Sequence, residues 1–500
     1  MKKRMTLLLT AIIIIVIVTS AFVTIETSKP SLSQAASKKP FYVGVTYSGN
    51  SVTEAEQLID RVKSYTNLFV LQSGPLMDNL SATEQICDYA VNSGLNIIVC
   101  YTTNSLGNIL DSLLNVAQAR WGGHFLGLYF NDEPGGHMLD SKITFSENNN
   151  TIVKGENGQV TFSEVVGSGT NQTLNQFTFD PSGIVTITST PASITGTWFP
   201  VGGNTTNQTT NGTSVEPTQT IYYPNGTICY TTDTTVTYEP NGTALNENGQ
   251  VVTNHGNISQ FEPYQQVLDA NPLLNDTDAA NLYLNNLQTT LSSIGNQSAV
   301  NLFTSDYGLY WFDYLGGYNA VFAELFGTQT DAQTLALVRG AADMQDKSWG
   351  VMIEPASQSP LSLQNGAQMY NELRRAYENG AEYAVVFNYS PSGNGTGLLQ
   401  NEQFASIQKF WTNVAQNPKE TNNVKGQDAL VLPQNYGWGM RTPNDAIWGI
   451  WQPDNSSQQV WNAVQASLAK YGSKLDIVYE DPAYPTSGRY LHVYYWNQTI

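Results

Sequence analysis

The sequence predicts an α/β fold: a (β/α)8 TIM barrel with an inserted β-rich domain and a small C-terminal α/β domain. Three observations carry that expectation. Eight short runs rich in β-branched and aromatic residues alternate with helical patterns, as the buried parallel strands of a barrel do. The alternation is interrupted once, over 139–261, by a Thr-, Asn-, Ser- and Gly-rich stretch without helical periodicity. After the linker Asn417–Asn423, one more strand–helix–strand pattern fills 427–500. The barrel halves therefore fall at 39–138 and 262–417, behind an N-terminal segment 1–38.

That first segment sets the compartment. Lys2, Lys3 and Arg4 precede the apolar run Met5–Ile25, the order of an export signal, and the run is long enough to span a bilayer. Ser33-Gln34-Ala35 offers small residues for cleavage. A cleaved signal and a retained anchor both remain open, and either places the rest of the chain at the cell surface or outside the cell. Any membrane association is expected only through residues 5–25. Fifteen Asn-x-Ser/Thr acceptors, eight of them in the insertion, agree with a glycosylated exterior protein.

The barrel strands read as Phe41–Tyr47, Asn67–Gln72, Asn96–Tyr101, Phe125–Phe130, Ala299–Thr304, Ala320–Phe326, Trp349–Glu354 and Tyr383–Tyr389. Thr53 with Glu56 and Ser81 with Glu84 have capping-box spacing, and Gly94 and Gly380 stand where C-terminal glycines belong. Between Tyr307 and Ala320 there is room for one short helix. Asp276 and Asp278 are expected to open the helix that ends at Ile294 rather than to bind calcium. In the insertion, Asp180-Pro-Ser-Gly, Tyr223-Pro-Asn-Gly-Thr and Glu239-Pro-Asn-Gly-Thr each read as a turn between strands. The insertion leaves from the loop after strand four, on the face where barrel active sites are built, as a wall, a lid, an ancillary binding surface or a plain spacer.

Composition removes several functions. The net charge is −19 with 22 Lys and Arg against 41 Asp and Glu, which opposes nucleic acid. Charged residues make up 13% of the chain, about half the usual share, so the polar surface comes from Asn, Thr, Ser, Gln and Gly. Cys87, Cys100 and Cys229 are too few for a disulfide framework and read as buried thiols. His124, His137, His255 and His492 form no metal-ligand spacing, so no metal and no cofactor are expected. No Gly-x-Ser-x-Gly elbow and no phosphate-binding Gly-rich loop appear.

The chemistry-bearing pattern is carboxylic. Strand four runs out through Asn131-Asp132-Glu133-Pro134, and strand seven ends at Glu354-Pro355. Two carboxyl groups facing one pocket can divide the work of cleaving a glycosidic bond, one protonating the leaving oxygen and one acting as nucleophile or base. Strand–helix count and these two motifs resemble the clan of retaining (β/α)8 glycoside hydrolases, β-galactosidase-like enzymes among them. The resemblance implies Glu133 as acid/base and Glu354 as nucleophile. The clan usually has Asn directly before the acid; here Asp132 intervenes after Asn131, so Asp132 either takes the Asn position or is itself the acid. Adjacent strand residues point oppositely, so one of the two is expected to face the pocket, with Glu133 preferred. The C-terminal pattern resembles the opening segment of the amidotransferase-like domain that follows the barrel in some β-galactosidase-like glycosidases.

Around this pair, Asp306, Tyr307, Tyr310 and Trp311 after strand five, with Tyr47 and Asn388 at the ends of strands one and eight, are expected to meet a carbohydrate substrate by ring stacking and hydrogen bonding. Glu324 on strand six reads as a third acidic group of the pocket or a buried, paired residue. Arg339, Arg374 and Arg375 read as surface charges on helices. The expected function is an exported glycoside hydrolase; the alternative is a non-catalytic surface protein that binds glycan or protein partners. Oligomeric state is not legible in the sequence.

Overall fold

The alternation of apolar residues along the short runs sorts them onto two faces, and this sorting closes a barrel. The computed structural model describes residues 40–101, 108–140, 145–147, 150–154, 159–166, 173–180, 182–191, 218–231, 235–241, 243–252, 275–295, 300–326, 331–358, 361–390, 395–416 and 425–498. Eight parallel strands form the closed barrel: β1 (Tyr42–Tyr47), β2 (Leu68–Leu71), β3 (Asn96–Tyr101), β4 (Phe125–Phe130), β5 (Leu302–Asp306), β6 (Ala320–Leu325), β7 (Ser348–Ile353) and β8 (Tyr383–Val386). β8 pairs with β1, which completes the ring. Inward residues such as Leu68, Val70, Ile98, Tyr129, Phe303, Phe322, Met352 and Val385 form one cluster. Their neighbours Phe69, Leu71, Val99, Leu128, Val321 and Val351 belong to a second cluster packed under the helices.

Helix starts differ in detail from expectation. Ser51 and Asn79, both in non-helical backbone, accept from Glu54 N and Ala82 N and cap Val52–Val62 and Leu80–Asn92. Thr53 and Ser81 therefore lie inside the first turns, two residues beyond the true caps. Gly94 (φ 84°) and Gly380 (φ 89°) do take the left-handed conformation that a residue with a Cβ avoids. Tyr310–Gly316 is the single short helix between β5 and β6, and Asp276–Gly295 is the helix that leads into β5.

Described strands of the insertion form a nine-stranded antiparallel sheet in sequential order, from Phe145–Glu147 to Ala244–Asn246. The three Pro/Gly phrases sit at its hairpin turns: Gly183 N, Gly226 N and Glu239 N bond back across the turns to Asp180 O, Tyr223 O and Thr243 O. After the barrel, strands Asp428–Leu432, Leu475–Tyr479 and His492–Tyr495 form a three-stranded parallel sheet with the helix Asn455–Tyr471. This domain is bolted to the barrel helix Asp331–Met344. Arg339, 1% exposed, bonds Asp476 at 2.6 Å and the carbonyls of Ser473 and Leu475. The expected surface arginine is thus a buried interdomain tie, because its guanidinium meets carbonyls left open at the start of the neighbouring strand. Arg374 and Arg375 do lie exposed, paired with Glu378 and Asp331.

Among the described residues no helix is long and apolar enough to cross a membrane, and the run Met5–Ile25 lies outside them.

Candidate active site

β4 stops pairing at Phe130, and the chain then turns through Asn131 (φ 56°) and Glu133 (φ 49°), both left-handed. Such backbone persists in residues other than glycine only when neighbours hold it. Thr304 Oγ1 donates to Asn131 O at 2.7 Å, Tyr318 Oη donates to Phe130 O at 3.0 Å, and Glu133 N donates to Ser305 O at 3.1 Å. Strand alternation therefore does not govern this segment, and Asp132 and Glu133 both join the same acidic group. Asp132 accepts from the Tyr129 hydroxyl, and its Oδ1 lies 3.3 Å from Ser305 Oγ. Glu133 is hydrogen-bonded to Glu324 and lies 3.8 Å from the His137 imidazole. The expectation that only one of the two acids faces the pocket is corrected accordingly. Asn131 is exposed at the same turn.

Glu324 ends the inward face of β6 and is 5% exposed; Ser305 Oγ donates to its Oε1 at 2.6 Å. It is both the third acid and a buried, paired residue. Glu354 follows β7 and is half-buried. Its carboxyl has no hydrogen-bond or ionic partner among the described residues. Burial and the charges of Glu133 and Asp132 push Glu354 up to about 8. Burial also raises Asp132, Glu133 and, well above the carboxylate range, Glu324, with Asp132 and Glu133 adding to the effect on their neighbours. Asp132 is exposed as a residue, but its carboxyl is enclosed beside Tyr129 and Ser305, and that burial raises it. Four carboxyls from β4, β6 and β7 thus crowd together, each with its proton affinity raised. Among the described residues no three His, Cys, Asp or Glu side chains are arranged to hold a metal ion.

Several expected substrate contacts are structural instead. Asp306 closes β5, fully buried, and accepts from the backbone N–H groups of Gly135 (2.5 Å), Gly136 (2.8 Å), Tyr307 (2.7 Å) and Gly308 (3.1 Å). It ties the β4 and β5 loops together because four donors converge on it. Tyr310 and Trp311 are 3% exposed, and Trp311 packs against Tyr479 and Tyr484 of the C-terminal domain. Tyr47, 1% exposed, donates to Ser51 O at 2.7 Å and accepts from Ser51 N, which holds the β1 loop. Asn388, also 1% exposed, donates to Thr396 O and accepts from Leu399 N. A Cβ on Gly397 would lie 2.1 Å from its Oδ1, so this asparagine clamps a loop and is closed to glycosylation once folded. Tyr307 remains half-buried beside the mouth, where its hydroxyl donates to Asp140 at 2.8 Å.

Ser305 and Tyr129 were not among the expected site residues. Both follow from counting inward positions: Ser305 is two residues beyond Phe303, but only if β5 extends to Asp306 rather than ending at Thr304. Phe326, 51% exposed just past β6, and Gln72, whose buried Oε1 lacks a partner, complete a polar and aromatic rim. Cys100 lies near Asp132 and is pushed up to about 12 by burial, which leaves an inert thiol.

Fold and site together define a (β/α)8-barrel protein with an acidic pocket at the C-terminal ends of its strands. A β-mannanase from the blue mussel Mytilus edulis aligns over 75% of this chain and 92% of its own, with 10% identity and a TM-score of 0.33. A pyruvate kinase from Cryptosporidium parvum aligns over 79% and 81%, with 7% identity and a TM-score of 0.28. Neither superposition is close enough to bear on chemistry, and the fold class rests on the strand order itself. No protein-family model and no curated protein matches the chain.

Proposed function

We propose that this protein is an exported glycoside hydrolase that cleaves O-glycosidic bonds of extracellular or cell-surface glycans with Glu133 and Glu354. The observation that carries the reading is the placement of these two solvent-reachable carboxyls, from β4 and β7, at one barrel mouth, each raising the other's proton affinity or sharing a neighbour that does. An acid able to hold its proton at neutral pH beside a carboxylate is what protonation of a leaving oxygen requires. Export rests on the basic–apolar N-terminus and the acceptor sites.

The partners of the two groups suggest how they divide the work. Glu133 accepts a hydrogen bond from Glu324 and sits near His137, so its ionised form has support. Glu354 has no such donor among the described residues and keeps its proton to about pH 8. In this proposal Glu354 gives its proton to the glycosidic oxygen as that bond breaks. The Glu133 carboxylate attacks the anomeric carbon, and water then releases the sugar with retention. This reverses the roles implied by the clan resemblance.

The test uses Glu354→Gln and Glu133→Gln on aryl glycosides with good and poor leaving groups, with azide added. Loss of hydrolysis by orders of magnitude in both variants is expected. Azide should restore turnover of the good-leaving-group substrate in the Glu354 variant with a retained anomer, and give an inverted anomer in the Glu133 variant. The opposite pattern restores the clan assignment. Wild-type protein that binds glycan but hydrolyses none would make it a surface binding protein instead.

A further inference from the structure

The helix Pro134–Asp140 begins at the residue after Glu133, and its far end is held from outside the barrel. Arg441, on the loop between the first strand and the helix of the C-terminal domain, bonds Asp140 Oδ2 through Nη1 at 2.5 Å. The same guanidinium is fixed by Asp445, with Nε to Oδ2 at 2.9 Å and Nη2 to Oδ1 at 2.7 Å, and lies 5.5 Å above the Tyr307 ring. Tyr307 in turn donates to Asp140. The other end of the helix is gripped by the Asp306 carboxylate through Gly135 and Gly136. A Cβ on Gly136 would sit 2.2 Å from the Tyr307 ring, so the helix, the β5 loop and the 441 loop are fitted without slack.

We propose that Arg441 is a positioning residue of the catalytic centre: reaching from the C-terminal domain, it anchors the helix that begins beside Glu133 and offsets the negative charge of Asp140 next to that carboxyl. The C-terminal domain is then a working part of the active site, not a detachable module. The proposal rests on Glu133 being a working carboxyl of the proposed hydrolase. The groups around Glu133 are Asp132 on its own turn, His137 and Asp140 on the following helix, Tyr307 on the β5 loop, Glu324 on β6 and Glu354 on β7. Among the described residues, Asp140 is the one of these acids that meets an arginine. Removing Arg441 takes its positive charge away from Asp140, which disfavours ionisation of Glu133. The pair is partly exposed, so the effect is modest: about 0.3–0.5 pH unit upward.

The test follows the Glu133 carboxyl carbon by NMR in the full chain, assigned by its loss in Glu133→Gln, alongside the pH profile of kcat/KM. Arg441→Gln should raise the Glu133 midpoint and move the acidic limb of the profile with it. Arg441→Lys should leave both near wild type, and Asp140→Asn with Arg441→Gln should cancel the rise. If Arg441→Gln does not fold, Asp140→Asn alone should lower the midpoint. An unmoved midpoint in Arg441→Gln, or in Asp140→Asn where the former does not fold, overturns the proposal and leaves Arg441 a plain clamp. Absence of glycan hydrolysis by the wild-type chain would instead overturn the enzymatic reading, while the NMR midpoint still decides the coupling.

Discussion

The Ser305 hydroxyl lies 2.6 Å from Glu324 Oε1 and 3.3 Å from Asp132 Oδ1, so one proton donor stands between carboxyls of two barrel strands. A hydroxyl donates once, and the shorter contact assigns that bond to Glu324. Tyr129 supplies the complement, donating to Asp132 and reaching Ser305 Oγ at 2.8 Å. Ser305→Ala removes a donor that favours the charged form of Glu324, so Glu324 should hold its proton to higher pH. The stability cost expected from a lost buried hydrogen bond is about 1–2 kcal/mol. Denaturant unfolding measures the cost, and a carboxyl NMR titration of Glu324 measures the shift.

Activity should fall as pH rises through about 8, where Glu354 gives up the proton it is proposed to donate. The limb is read from kcat/KM against pH. A basic limb that is unchanged when Glu354 is replaced by an aspartate would assign that limb to another group.

The same carboxyl is a stability liability. A group whose proton is held more tightly in the folded than in the unfolded chain stabilises fully below the unfolded value, near 4.5, and loses that contribution as pH rises through about 8. Glu354→Gln should therefore match wild type in stability at pH 4 and exceed it at pH 9, on the order of 2 kcal/mol, while hydrolysis is lost. Urea unfolding at the two pH values decides this.

A second pair carries the same sign away from the site. Asp313 is fully buried, accepts from the Tyr283 hydroxyl at 2.5 Å, and is pushed up to about 8 by burial. Its neighbour Asp306 is raised by burial and by the Asp313 charge, against the pull of its backbone donors. Asp313→Asn keeps an acceptor for the Tyr283 hydroxyl without the ionisation. It should flatten the loss of stability between pH 4 and pH 8, seen as a Tm gain over wild type that grows with pH.

Arg339→Met leaves Asp476 buried without its countercharge, in a pair where both side chains are at most 1% exposed. Breaking such a pair costs about 3–5 kcal/mol. Chemical denaturation should show that loss. Arg374→Met, which removes an exposed helix pair, should change stability by less than about 0.5 kcal/mol.

The barrel was legible because its strands are locally encoded: each short apolar run is bounded by turn-forming residues, and period-two alternation assigns its two faces. The hairpin turns of the insertion were legible for the same reason, since Pro and Gly constrain φ at the turn itself. The acids Glu133, Glu324 and Glu354 could be placed at strand ends by counting. What each side chain touches could not be counted. Tyr47, Trp311 and Asn388 look like pocket liners from position alone, yet neighbouring loops and the C-terminal domain bury them.

Local sequence thus set the positions of the strands, the loop turns and the placing of the acidic residues at strand ends, since these depend on patterns a few residues long. Only the folded chain decided which acids crowd together, that Asp132 and Glu133 join one acidic group, and that Arg339 and Arg441 bind the C-terminal domain to the barrel. Those outcomes depend on burial and on charges brought together from distant segments. Ser305 and Asp132, or Arg441 and Asp140, become neighbours only after the barrel has closed and the last domain has docked.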